Sequence, residues 1–318
     1  MRNLLCSFFL CIFLCLPHGV AYADDGSEQK AILVTGASTG IGRNLAETLA
    51  SEGHFVYAGA RKQADLDELN AIENIQAIRL DVTIQEQIDA AVETVRKGDR
   101  GLYGLVNNAG VVVAGAMIEV DEDDMQFQMD VNLFGPYRVT KAFAPLIIES
   151  QGRITTTGSI SGILSGTFIG PYSMSKHGVE AFTDSLAGEM EKFGVRVSVV
   201  EPGNYNSAIM DTMRNRMQRR GQTPEGSLFE EELQQLMDGP SDRSRLKQPD
   251  EVSAAFLHAL FDDNPKRRYM VVPNQREAEI TIKKAIEELV QLNEGHEYSY
   301  DREQLIAMLD EALAASTH

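Results

Sequence analysis

Beyond residue 15 the chain has no cysteine. Its three, Cys6, Cys11 and Cys15, lie at the amino terminus, so disulfides and thiolate metal sites are excluded from the body. Basic residues are also scarce, 29 against 47 acidic ones, and the formal charge is −18. A nucleic-acid backbone or an anionic bilayer needs a basic footprint, so neither is expected as the main partner. No Asn-x-Ser/Thr acceptor occurs. His18 lies near the amino terminus, and His54, His177, His258, His296 and His318 show no ligand spacing, so no metal site is expected. The remaining mix, 43% hydrophobic and 24% charged, is that of a folded soluble protein.

One long apolar run is present, Leu4 to Leu16, after Arg2 and before Pro17. Ala21-Tyr22-Ala23 and then Asp24-Asp25 follow, and no twin-Arg pair stands in this segment. That order predicts a secretory signal peptide over residues 1–23, cleaved after Ala23. The run is shorter than the roughly 20 residues of a bilayer span, which disfavours an uncleaved anchor, and no stable span is expected after cleavage. Export to a periplasm, the medium or an endomembrane lumen would follow. A membrane anchor, or a cytoplasmic protein whose start codon is placed too far upstream, are the alternatives.

After a short linker, 24–30, the chain alternates strand and helix. Apolar runs at 31–36 (AILVTG), 54–60 (HFVYAGA), 75–82 (IQAIRLDV), 102–109 (LYGLVNNA), 153–158 (RITTTG), 196–200 (RVSVV) and 269–273 (YMVVP) read as strands. Helical spacing lies between them, at 41–51, 131–150 and 172–193 among others. Such alternation predicts an α/β fold: a single doubly wound parallel sheet of about seven strands, covered by helices on both faces. No repeat or low-complexity linker divides 31–273, which is therefore one domain, with an irregular segment at 204–248 and a helical carboxyl-terminal extension at 274–318.

The chemistry-bearing motifs sit where strands end. Gly36-Ala37-Ser38-Thr39-Gly40-Ile41-Gly42 joins the first strand to the first helix, and glycines there let backbone approach a pyrophosphate at a helix N-terminus. A ligand-free glycine-rich turn has the same composition. Asn107-Asn108-Ala109-Gly110 ends the fourth strand, another place where open α/β sheets bind ligands. Tyr172 and Lys176 stand four residues apart, on one helix face. An ammonium beside a phenol stabilises phenolate, as a general acid/base at working pH needs. Ser159 ends the preceding strand, and Asn132 opens the helix before that.

Together these residues resemble the short-chain dehydrogenase/reductase family, over about residues 31–273. The resemblance implies a Rossmann-type fold and an oxidoreductase that interconverts an alcohol and its carbonyl by hydride transfer. It carries Asn132 (in VNLFG), Ser159 (TTGSISG), and Tyr172 and Lys176 (YSMSK) onto the family's catalytic tetrad. In that scheme Ser159 bonds the substrate oxygen, Tyr172 moves the proton, Lys176 binds the nicotinamide ribose, and Asn132 fixes a relay water. The dinucleotide would lie against Gly36, Ser38, Thr39, Gly40, Ile41, Gly42, Asp81, Val82, Asn108, Ala109, Gly110, Pro202, Gly203 and Ser207. Thr-Thr-Gly-Ser replaces the usual Asn-x-Ser-Ser, and Ser207 stands where a Thr is common.

The position that the family often gives to an acid, after the second strand, is Ala60, followed by Arg61 and Lys62. No carboxylate is offered to the 2′-hydroxyl of NAD, while Arg61 can grip a 2′-phosphate, so NADP(H) is expected over NAD(H). Glu201 to Tyr205 (EPGNY) resembles the hydroxysteroid and retinol dehydrogenase branch, which implies a small lipophilic alcohol or ketone as substrate. Val111 to Val113, Ile163, Leu164 and Phe168 could line an apolar pocket or belong to the core. Met210, Met213 and Met217 suit a lid over a greasy ligand or a packed helix face. The arginines 214, 216, 219 and 220 read as a solvated face, with contact to an acidic group on a substrate as the alternative. The family usually forms homodimers or homotetramers, here through 131–150 and 172–193, where Val179, Phe182 and Leu186 recur at helical spacing. A catalytically silent dinucleotide-binding or interaction protein on the same fold is the alternative. Export also fits poorly with a nicotinamide enzyme, which needs a cofactor pool.

Overall fold

Ala31–Val34, four apolar side chains in a row, forms β1 in the interior of the sheet, buried on both faces. The computed structural model describes residues 29–239 and 243–315, and the leader expected at 1–23 lies outside them. The first half continues through α1 (Gly40–Ser51), β2 (Phe55–Ala60), α2 (Gln63–Asn70), β3 (Ile75–Arg79), α3 (Gln85–Lys97) and β4 (Gly104–Asn107). Next come α4 (Glu122–Met129), α5 (Gly135–Glu149), β5 (Arg153–Thr157), α6 (Gly170–Met190) and β6 (Arg196–Pro202). The chain then runs through α7 (Ile209–Arg219), α8 (Glu230–Met237), α9 (Asp250–Phe261), β7 (Arg268–Val271), α10 (Gln275–Asn293) and α11 (Arg302–Ala315).

The seven strands are parallel, in the order β3-β2-β1-β4-β5-β6-β7. Parallel strands require crossover helices, and these cover both faces. Leu45 and Leu49 of α1 and Val252 and Phe256 of α9 pack one face, while Ile88, Phe143 and Ile147 of α3 and α5 pack the other. Fully burying each such side chain contributes about 1.5–3 kcal/mol, an upper estimate against a compact unfolded chain.

Strand order reverses between β1 and β4, which opens a crevice at the carboxyl ends of the strands. The glycine turn, Asn108 and Ser159 all lie at those ends. The third apolar run is longer than β3 because Asp81 leaves the ladder: its Oδ1 accepts from Thr83 N (3.0 Å) and Thr83 Oγ1 (2.7 Å), closing a turn. Val179 is fully buried and Leu186 packs on the core, so in one chain this part of the α6 pattern serves packing. Among the described residues no helix is long and apolar enough to cross a membrane.

Candidate active site

The glycine turn is built by close approach. Gly36 has φ +66° and Gly40 φ +57°, the left-handed region where glycine costs least. A Cβ on Gly36 would stand 2.7 Å from Ala109 Cα, which ties this turn to the end of β4. Asn108 straps the two together: its Nδ2 donates to Thr35 O (3.0 Å) and Gly36 O (3.1 Å), and its backbone N–H donates to Thr35 Oγ1 (2.9 Å). Thr39 precedes α1 in extended conformation without capping it, and the first turn of α1 has no acid. The Gly40–Gly42 end of α1 thus presents uncapped N–H dipoles, which favour a phosphate, and Glu47, which lines the same cleft, is paired with Arg43. Ser207 approaches from across the crevice, its Cβ 3.0 Å from the place of a Cβ on Gly40. A cleft of about 310 Å³, lined by Gly40, Arg43, Asn44, Ser207 and Gln248, opens between the two segments.

Ser159, Tyr172 and Lys176 converge one loop away. Ser159 is buried at the start of a 3-10 turn (Ile160–Gly162), its hydroxyl accepting from Ser161 N at 3.0 Å. Its hydroxyl also acts on the Tyr172 phenol and pulls the phenol's pKa down. Burial acts against this and is the larger effect, so Tyr172 sits above the usual phenol range. Lys176, one helical turn on, has its Nζ 5.6 Å from the Tyr172 ring centroid and donates to Thr157 O at 2.7 Å. Burial lowers Lys176 to about 8, and Glu180 works in the opposite direction. The sequence expectation that Lys176 depresses Tyr172 is therefore not the governing balance here, because desolvation acts on both groups. Thr157 Oγ1 in turn donates to Asn108 Oδ1 (3.2 Å), linking this group to the glycine turn.

Asn132 lies in a π-helical turn, Asp130–Phe134, an irregularity frequent at functional sites. Its amide is fully used. Oδ1 accepts from Val111 N (2.8 Å), and Nδ2 donates to Val111 O (3.0 Å) and Ser175 Oγ (3.1 Å). What it can offer a relay is its main-chain carbonyl. Gln128, four residues earlier, supports the same segment by accepting from Val113 N (2.6 Å) and donating to Val111 O (3.0 Å).

Apolar side chains pack beside Tyr172. Met213 and Met217 of α7 pack with Val112 and Ala114, with Tyr172, Ile169 and Met210 alongside, while Val111 belongs to the main core. Phe168, at φ +63°, meets Phe229 edge-to-face at 5.6 Å. Helix α7 is tied to α4 by charge. Asp124 of α4, only 2% exposed, takes Arg216 at 2.5 Å, Arg220 at 3.2 Å and Gln222 at 2.7 Å. The Arg216 guanidinium also lies 3.7 Å from the Phe127 ring centroid. A solvated face for 214, 216 and 220 is thus corrected: two of these arginines neutralise a buried carboxylate, and Arg214 pairs with Asp211 at 2.6 Å. Asp124→Ala should cost about 1–3 kcal/mol, below the 3–5 of a fully buried pair because Arg216 and Arg220 can resolvate. Denaturant unfolding measures this, with limited trypsinolysis expected to cut faster in α7; unchanged midpoint and cleavage would contradict the tie.

At the far end of the crevice Arg61 is 58% exposed, with Nη1 3.7 Å from Asp81 Oδ2. Arg79, paired with Ala60 across β2 and β3, donates to Arg61 O (2.5 Å) and Gln63 Oε1 (2.7 Å), adding a second cation. Val82 is buried in the core against Gly135, so only its main chain can face a ligand. Pro202 ends β6, and Gly203 is demanded by Glu277 of α10: a Cβ there would lie 2.1 Å from its Oε2, which accepts from Asn204 N at 2.8 Å. Sequence reasoning missed Arg79, Asp124, Gln128 and Glu277. Each of the four takes its meaning from a partner on another segment, which periodicity does not report.

The family profile described as short chain dehydrogenase matches residues 30–218, more than half of the chain.

The chain belongs to that family.

Similar family members include D-beta-hydroxybutyrate dehydrogenase, mitochondrial, of Rattus norvegicus, 40% identical over 194 residues, covering 58% of this chain and 57% of the rat protein. 17-beta-hydroxysteroid dehydrogenase type 6 of Homo sapiens is 37% identical over 201 residues, covering 62% of this chain and 63% of the human protein. The chain thus spans less than two thirds of the length of these curated relatives. A short-chain dehydrogenase from Streptomyces avermitilis has a similar structure, with TM-score 0.70 and 28% identity, over 85% of this chain and 96% of its own. In short-chain dehydrogenase terms, the chain keeps a Ser, Tyr and Lys within one loop and one helix at the crevice.

Proposed function

We propose that this short-chain dehydrogenase reduces lipophilic ketones to secondary alcohols, and oxidises the alcohols, with NADP(H). The observation that carries this is the convergence of Tyr172 with buried Ser159 and Lys176, with Lys176 Nζ 5.6 Å from the Tyr172 ring centroid, at the end of the crevice that also holds the glycine turn. The residues present fit a dinucleotide: the glycine cradle and free N-terminus of α1 suit its pyrophosphate, and Arg61 with Arg79 suits a 2′-phosphate. When bound, the nicotinamide supplies or accepts the hydride. Ser159 holds the substrate oxygen where negative charge develops. Tyr172 delivers a proton to that oxygen in reduction and takes it back in oxidation. Lys176 holds positive charge beside the phenol, and the Asn132 carbonyl anchors the water side of the relay.

The apolar wall beside Tyr172 supports a lipophilic substrate. A small hydroxy acid would need a cation for its carboxylate, and three of the four arginines in and just after α7, 214, 216 and 220, are already paired with Asp211 and Asp124. Cofactor choice is tested by dissociation constants. The exposed Arg61 offers a phosphate two parallel charge-assisted bonds, each worth about 1.5–3 kcal/mol before screening. Arg61→Ala should weaken NADPH about tenfold while leaving NADH nearly unchanged, and Ala60→Asp should turn preference toward NADH. A parent that binds NADH more tightly would overturn the assignment.

A further inference from the structure

Beneath the catalytic group lies a set of charges that the mechanism above does not use. Tyr172, Lys176, Glu180 and Asp184 follow one another at four-residue steps along one face of α6. Glu180 is 14% exposed, and its carboxyl is wedged between the two ends of the serine loop. A Cβ on Gly158 would lie 3.0 Å from Glu180 Oε1, and one on Gly162 would lie 2.9 Å from the same atom. Glu201, the residue before Pro202-Gly203, comes up from β6 beside it, only 2% exposed, its Cγ 3.3 Å from the same Gly158 position. Arg268 of β7 closes the set. Its Nε donates to Glu180 Oε2 at 3.0 Å, its Nη2 donates to Asp184 Oδ2 at 2.7 Å, and Glu201 Oε1 is 3.5 Å away.

Counting charges shows what this set requires. Lys176 and Arg268 are two cations, and Glu180, Asp184 and Glu201 are three carboxyls. The Oε1 atoms of Glu180 and Glu201 are buried with no hydrogen-bond partner among the described residues, and both side chains press on the same Gly158 position. Two acceptors cannot bond each other, and a buried unpaired acceptor is costly. One proton between them satisfies both atoms and balances the set at two against two. The group that keeps it is Glu201: burial first, and then Glu180 beside it, raise it to about 8, far above the usual carboxylate range. Glu180 keeps the direct bond from Arg268 Nε.

We infer that Glu180 is a positioning residue of the catalytic group: its carboxylate braces the Ser159 loop and supplies the counter-charge of Lys176, with protonated Glu201 bridging it to β6. This rests on the Tyr172–Lys176 reading above. The inference joins three parts of the site, the serine loop, the lysine and the Pro202-Gly203 segment, through one shared proton. It also makes the charge on Lys176 depend on a residue that touches neither substrate nor nucleotide.

The test has one arm that needs no turnover. In the folded state Glu201 keeps a proton that the unfolded chain releases in the ordinary carboxylate range, so parent stability falls as pH rises from there to about 8. Glu201→Gln keeps the shape and the donor but cannot ionise. Its melting temperature should gain on the parent's steadily over that window, and a gap that does not change with pH would overturn the inference. The second arm follows kcat/KM against pH for oxidation of lipophilic secondary alcohols with NADP. Glu180→Gln should move the acidic limb upward by about half a unit to one unit, because an unsupported Lys176 loses its charge more readily and stabilises phenolate less. Glu180→Asp, which keeps the charge on a shorter stem, should lower kcat yet restore the limb. A Glu180→Gln enzyme that is slower with an unmoved profile would show a structural brace only and would overturn the inference. Tyr172→Phe, run beside them, separates the failures. If it is as active as the parent, the underlying Tyr172 reading fails and this one with it; if it is inactive and either arm fails, this one fails alone.

Discussion

Tyr172→Phe is expected to lower turnover by about 10²–10⁴-fold, the range for loss of a general acid/base, with nucleotide affinity and melting temperature close to the parent's. The ring keeps its place against Met213 and Ile169, so only the proton is lost. No second group in the described site replaces it: Lys176 donates to Thr157 O, and the Ser159 hydroxyl accepts from Ser161 N. Direction matters as well. Burial holds Tyr172 above the usual phenol range, so the free enzyme carries its proton at neutral pH and is loaded for carbonyl reduction. Oxidation needs the phenolate and should rise with pH across the neutral range. Initial rates of both reactions, for parent and variant, check the two statements together. A variant within a few-fold of the parent would remove Tyr172 from the mechanism.

Gly42→Ala is the other large effect. A Cβ there would lie 2.2 Å from Asn108 Nδ2 and 2.4 Å from Gly36 O, and the second atom is backbone that cannot swing away. The amide is the strap between glycine turn and β4, so relieving the clash breaks the bonds to Thr35 O and Gly36 O. Overpacking of this kind costs about 1–3 kcal/mol, which for a domain of this size lowers the melting temperature by several degrees, on the order of 5–10 °C at the upper end. Displacing the turn also removes the cradle, and dinucleotide affinity should fall by about 10²-fold, which calorimetric titration measures. Near-parent affinity would mean that the turn does not hold the pyrophosphate.

Much of this was legible in the chain because the signals are local. The AILV run that becomes β1, the glycines that need left-handed backbone, and the four-residue step from Tyr172 to Lys176 are each contained within one element and its cap. Strand order was legible only as a class, since periodicity reports that strands exist and not which one lies beside which. The residues that escaped are those whose meaning is a partner far away in sequence. Asp124 looks like one of several acids at the start of a helix until Arg216, 92 residues later, is folded onto it. Glu277 belongs to an extension that reads as an appendage, yet it fixes Asn204 from 73 residues away. Glu180 and Glu201 look like ordinary charges on a helix and a strand end, and only their shared burial makes them a pair. The same limit shaped the error on the arginines of α7, where an amphipathic helix with basic residues reads as solvated unless an acid on another helix is known to face it.

The leader expected at residues 1–23 lies outside the described residues.

The central claim is hydride transfer between a nicotinamide and the carbonyl carbon of a lipophilic ketone. The most direct measurement supplies NADPH deuterated at the transferring position of its nicotinamide, with a panel of such ketones, and reads the alcohol by mass spectrometry. The account predicts one deuterium on the carbinol carbon for each NADP formed, and none with the Tyr172→Phe protein over the same time. Nucleotide consumed without label in the alcohol, or no consumption with any ketone by a protein that binds NADPH, would contradict it.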